Sequence, residues 1–202
     1  MKILPKWLRS RFILLSLGLG VLCLNPVRAA DKPDDKQPDR KGALVSIDGL
    51  QSRAPADWEE QEPANEMRFK QFRLPAARKG EDNAELVIFF FGTGQGGSAD
   101  DNVKRWKGTF EPPQGKKIED VAKTETFKVS GVEITYLDIN GTYLSRFPPF
   151  APNAKTVRKP NYRLLGAVFE SKKGPYFIKL IGPADTVAHY KKGFDEWLKA
   201  FK

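Results

Sequence analysis

Two short turns between strand-length stretches limit what this chain can fold into more than any other feature does. Ser130-Gly131 separates residues 122–129 from 132–144, and Ser171-Lys172-Lys173-Gly174 separates 162–170 from 175–181. Connections this short cannot carry a crossover, so each pair is predicted to be an antiparallel hairpin. The second hairpin is apolar in both phases, with Leu164, Leu165, Val168 and Phe169 on one strand and Tyr176, Phe177, Ile178, Leu180 and Ile181 on the other. Residues 84–91, AELVIFFF, read the same way. Strands that are apolar on both faces need cover on both. Residues 67–74, MRFKQFRL, switch apolar phase between Phe69 and Phe72, which predicts a strand with a bulge.

Two amphipathic helices are available as cover. The first is predicted to start at Ser98 as N-cap, with Asp101 as its capping-box partner. Ala99, Val103, Trp106 and Phe110 form its apolar stripe, and Pro112-Pro113 ends it. The second opens at Gly182-Pro183 with Asp185 in its first turn, and its stripe is Val187, Tyr190, Phe194, Trp197, Leu198 and Phe201. Trp106 and Trp197 are the predicted core anchors. The resulting fold class is α+β, an antiparallel sheet flanked by helices on both faces.

The amino end reads as an export signal. Lys2, Lys6, Arg9 and Arg11 precede an apolar run from Phe12 to Leu24, which ends at Asn25-Pro26. That run is shorter than the roughly 20 residues a spanning helix needs. Val27 and Ala29 supply the small residues before a cut, so residues 1–29 are the predicted signal peptide and Ala30 the mature start. The segment 30–42, ADKPDDKQPDRKG, has nothing to bury and reads as a disordered linker, leaving 43–202 as a single domain. Loss of the signal removes five basic residues and no acidic ones, so the formal net charge of +9 falls to an ordinary solubility charge. That balance argues against nucleic acid as a partner. The only cysteine, Cys23, lies within the signal, which excludes disulfides, thiolate catalysis and cysteine metal sites from the mature chain. The expected location is the periplasm or the extracellular space, with no membrane segment after cleavage.

Few motifs point to chemistry. Residues 92–97 spell GTGQGG after a strand and before a helix, matching the dinucleotide-binding pattern of glycines. The βαβ context is missing, however, and Asp100 and Asp101 occupy the helix start, where they would repel phosphate. The run therefore reads as a flexible turn. His189 is the only histidine, which rules out a histidine zinc site, and no G-x-S-x-G elbow accompanies any serine. Adjacent carboxylates such as Glu59-Glu60 and Asp195-Glu196 point apart. No catalytic, cofactor or metal residues are assigned. The remaining candidate is the proline-rich connection 145–161, SRFPPFAPNAKTVRKPN, read as a long loop. Its Phe147 and Phe150, with Arg146, Lys155, Arg158 and Lys159 around them, have the aromatic centre and basic rim of a partner-binding surface.

The runs WEEQEPANEMRFKQFRLP, AELVIFFFGTGQGG, DNVKRW, GTYL, NYRLLGA, GPYFIKLIGP and FDEWLKAF together resemble those of a family of exported bacterial proteins with no assigned activity. The order of elements and the terminal F-x-x-W-L helix also resemble the PsbP-like fold, an α/β/α sandwich whose members serve as accessory, chaperone or partner-binding factors. That resemblance implies a non-catalytic binding module for an unknown protein or small molecule in the cell envelope, and it carries over no functional residue. A cofactor-free hydrolase with carboxylate or serine chemistry assembled by folding is the alternative.

Overall fold

The computed structural model describes residues 42–147 and 153–202. The signal and all but the last residue of the linker expected from the sequence lie outside the described residues. Every strand pairing is antiparallel. A first hairpin, β1 (Leu44–Ile47) and β2 (Leu50–Arg53), turns through Asp48 and Gly49, both at positive φ. The main sheet runs β3 (Glu59–Gln61), β4 (Arg68–Leu74), β5 (Ala84–Phe90), β10 (Gly174–Pro183), β9 (Lys155–Ser171), β8 (Val132–Phe147) and β6 (Phe110–Glu111). Strand β7 (Ala122–Val129) also pairs with β8. The helices are α1 (Ala99–Lys107), α2 (Ile118–Val121) and α3 (Ala184–Lys199).

Both predicted hairpins form. Ser130 and Gly131 lie at positive φ, the geometry that matches the twist of the strands they join. The expected bulge in β4 falls between Arg68 and Lys70, which leaves Phe69 39% exposed. Strand β10 has a partner on each edge, and its residues are buried in both phases.

Alternate residues of β9 enter two separate buried clusters. Leu165, Ala167 and Phe169 join the larger one, with Val187, Phe194, Trp197, Leu198 and Phe201 from α3 and its end. Trp58 and Phe72 complete an aromatic nest there, in which Trp58 stacks on Phe194 and meets Trp197 edge-on at 5.4 Å. Leu164 and Val168 join the smaller cluster, with Val103 and Trp106 of α1. Between them Gly166 admits the Trp106 ring so closely that a Cβ would lie 2.6 Å from it.

Helix α1 ends earlier than the sequence suggests. It stops at Lys107 with Gly108 as C-cap, and Phe110 enters β6 instead of continuing the stripe. The backbone N–H of Asp101 donates to Ser98 Oγ as expected, at 3.1 Å, but the return contact is from the Ser98 hydroxyl to the Asp101 carboxylate at 2.6 Å, not from backbone. At α3, Pro183 occupies the N-cap, one position before the first helical residue.

Candidate partner-binding arm and a neighbouring polar network

The connection 145–161 is not a long loop. Strands β8 and β9 stay paired through Leu144↔Arg158, Ser145↔Val157, Arg146↔Thr156 and Phe147↔Lys155, so most of the segment is the outer end of a hairpin. The prolines concealed this. Pro160 and Asn161, the latter at a φ of 56°, sit where the register shifts between Gly141 and Tyr143. At a bulge or an unpaired edge a proline forfeits no ladder hydrogen bond. Beyond this point the hairpin leaves the sheet: β10 ends opposite Tyr162, and β6 reaches only to Tyr143. Past the Leu144 N–H, which donates to the Thr109 carbonyl at 2.8 Å, the two strands of this arm pair only with each other among the described residues.

The predicted basic rim splits in two. Arg158 and Lys159 hold the arm to the body. The Arg158 guanidinium forks onto the Glu111 carboxylate of β6, with Nη1 donating to Oε1 at 2.6 Å. The Lys159 ammonium donates to the Tyr162 hydroxyl at 3.2 Å and to Asp82 at 3.4 Å, and the Tyr162 hydroxyl donates to Asp82 at 2.7 Å. The hydrogen bond from Tyr162, then Lys159, lowers the Asp82 pKa. Burial pulls Lys159 down, but Tyr162 and Asp82 outweigh it and keep its ammonium above the ordinary value. Tyr143 stacks on Tyr162 at 6.1 Å behind this anchor. Arg146 and Lys155, farther out, are exposed, as is Val157 at 49%. The backbone of Phe147 pairs with Lys155, and Phe150 lies outside the described residues.

A second constellation escaped the sequence reading altogether. Where β7 and β8 meet α3, a recess of about 180 Å³ is lined by Lys123, Phe127, Tyr136, Asp138, Lys191 and Asp195, among others. The Tyr136 hydroxyl donates to Asp195 at 2.9 Å and accepts from the Lys191 ammonium at 3.2 Å. Lys191 also donates to Asp195 at 2.6 Å and lies 3.9 Å from Asp138, which Arg163 grips with two hydrogen bonds of 2.8 and 2.6 Å. Burial, and then the charge of Asp195, raises the Tyr136 pKa far above its ordinary value, so the phenol keeps its proton. The hydrogen bond to Asp138 raises Arg163 in the same sense. Two carboxylates face two cations, and the phenol hydroxyl spends its proton on one of them. Such an arrangement holds elements together and offers neither a free base nor an activated nucleophile. Only the i,i+4 spacing of Lys191 and Asp195 was visible in the sequence; Tyr136 lies 59 positions from Asp195.

The glycine run packs as a turn. Gly96 has a positive φ, and a Cβ there would fall 2.4 Å from the Phe177 ring, so close packing accounts for this glycine. Asn102 of α1 donates to the Gly96 and Ser98 carbonyls at 2.9 and 2.8 Å, tying the loop to the helix. His189 is exposed on α3, edge-on to Tyr190.

No family model matches the chain, and no curated protein matches it either. Among solved structures it is similar to the cyanobacterial PsbP of Synechocystis, at a TM-score of 0.47 and 16% identity over 83% of this chain and 95% of that one. It is also similar to a protein of unknown function from Pseudomonas aeruginosa, at a TM-score of 0.41 and 14% identity over 78% of this chain and 93% of that one.

Proposed function

We propose that this chain is an exported, non-catalytic binding protein of the cell envelope, in the periplasm or outside it, and that a partner docks on the outer end of the β8–β9 arm. The observation that carries the reading is the arm itself: two strands that beyond Leu144 pair only with each other among the described residues, anchored at the base through Arg158 and Lys159, with Arg146 and Lys155 turned to solvent. An anchored ribbon loses little conformational freedom on binding, and its free edges and cations suit a partner that presents carboxylates. Phe147 and Phe150 belong to the proposed contact surface. The closed charge network around Tyr136 supports binding over catalysis. The proposed layering is a PsbP-like α/β/α sandwich with α1 and α3 on opposite faces, supported by the alternation of β9 residues between the two clusters.

Two measurements test this reading. Protein recovered from the envelope should have an intact mass that begins at Ala30, and a retained Met1 or a lipid adduct on Cys23 would refute the processing. Mature protein should retain a partner from its own envelope fraction. Arg146→Ser with Lys155→Ser, and separately Phe147→Ser with Phe150→Ser, should lose that partner without lowering the urea midpoint. Folded variants that keep every partner would move the contact surface elsewhere.

A further inference from the structure

Strand β10 lies in the middle of the sheet, and one charged residue, Lys179, interrupts its apolar run PYFIKLIGP. In register it lies between Val87 of β5 and Gly166 of β9. Its side chain is part-buried and, among the described residues, has no hydrogen-bond or ion-pair partner. Three other charges interact with it: Arg68 from β4, Glu85 from β5 and Arg105 from α1. The one carboxylate in the group is already engaged. Glu85 Oε1 accepts from Arg68 Nη1 at 2.7 Å and from Gln71 Nε2 at 3.0 Å. Arg68 also lies 6.0 Å over the Phe89 ring, and its Nε is buried with no acceptor among the described residues.

Three cations thus share one carboxylate, and the patch includes an unpaired ammonium and an unsatisfied guanidinium N–H. Burying charge without a counter-charge is costly, and proteins relieve it either by neutralising the group or by supplying an ion. Burial, then Arg105 and Arg68, lowers the Lys179 pKa to about 8, with Glu85 opposing, so near neutral pH the amine still carries most of its charge. The excess over Glu85 is two positive charges.

We propose that Arg68, Lys179 and Arg105 form a binding site for a small, doubly charged oxyanion of the phosphate class. The proposal is independent of the partner-binding reading: it concerns strands β4, β5 and β10 with α1, not the β8–β9 arm. Lys179 supplies a point charge from the middle of the sheet, Arg68 its unpartnered N–H, and Arg105, which also donates to Asn102 Oδ1, a guanidinium from the helix.

The test uses the mature chain and inorganic phosphate, with sulfate and acetate at matched ionic strength. Lysine side chains are followed by NMR after isotopic labelling. Phosphate and sulfate should raise the Lys179 pKa and the melting temperature, and acetate should do so less. Lys179→Met should weaken phosphate binding about tenfold, the share of one charge-assisted contact. Arg105→Gln, on the exposed side of the patch, should weaken it in the same direction and serves as the working variant if Lys179→Met does not fold. A phosphate response unchanged in both variants, an unmoved Lys179 signal, or acetate acting as strongly as phosphate would overturn the proposal.

Discussion

In the larger cluster Leu165, Ala167 and Phe169 of β9 join Phe194, Trp197 and Phe201; in the smaller, Leu164 and Val168 join Val103 and Trp106, with Gly166 between them. The first group is sealed by a helix of 16 residues and the second by one of 9. At about 1.5 Å per residue the long helix spans roughly 24 Å of sheet and the short one roughly 14 Å. Beside the short helix lies a charged group as well: Lys179, in register with Gly166, with Arg68, Glu85 and Arg105 around it. The difference is one of content: the larger cluster is apolar throughout, and the smaller one adjoins a charged group close to the core.

The comparison can be broken by four changes, from the largest effect to the smallest. Trp197→Ala opens the α3 nest and should cost about 3–5 kcal/mol, read from urea midpoints; an unchanged midpoint would mean that this side is not the cohesive one. Gly166→Ala drives a Cβ into the Trp106 ring and should cost about 1–3 kcal/mol by overpacking. A neutral result would show that α1 can slide, so its packing is looser still.

Lys179→Met should act in the opposite sense. The folded amine titrates at about 8 against an ordinary lysine value of 10.5, so between those pH values the unfolded chain binds more protons than the folded one. Stability of the parent should therefore climb as pH rises from about 8 towards 10.5, the full penalty being felt below that window. Lys179→Met should remove the climb and add on the order of 1 kcal/mol at pH 7, a fraction of the penalty once solvent screening is allowed for. A flat parent profile would place the amine in ordinary water. Smallest of all, Arg146→Ser with Lys155→Ser should shift stability by less than about 0.5 kcal/mol, since neither cluster touches them.

How much of this was legible depended on the distance over which the signal acted. The turns at Ser130-Gly131 and Lys172-Lys173, the bulge after Arg68 and the stripe from Val187 to Phe201 are local patterns, and each formed where the residues place it. The β1–β2 hairpin carried a turn signal in Asp48-Gly49, but its strands are only four residues each and their apolar alternation, Val45 and Ile47, is too brief to stand out. The arm was misread because prolines argue against strands only where an N–H is needed. Tyr136, Asp138, Arg163, Lys191 and Asp195 come from two strands and a helix, and no spacing along the chain announces a contact of that kind. Lys179 was visible as a charge in an apolar run, but its arginine neighbours were not.

The last residues also close onto the first hairpin. Gln51 and Lys202 exchange backbone hydrogen bonds of 2.9 and 3.2 Å, and the Ser52 hydroxyl donates to the Trp197 carbonyl at 2.7 Å. Strand β5, paired with β4 on one edge, likewise waits for β10 on the other, about half the domain later. The sheet centre is therefore incomplete until β10 has been made, and the first hairpin, whose own strands pair locally, gains its outer hydrogen bonds only once α3 and the residues after it are in place. Distant pairings of this kind form more slowly than the adjacent hairpins β7–β8, β8–β9 and β9–β10. For the export proposed above, one edge of β5 would stay open until β10 is made, and the segment between them would remain extended enough to thread for that interval.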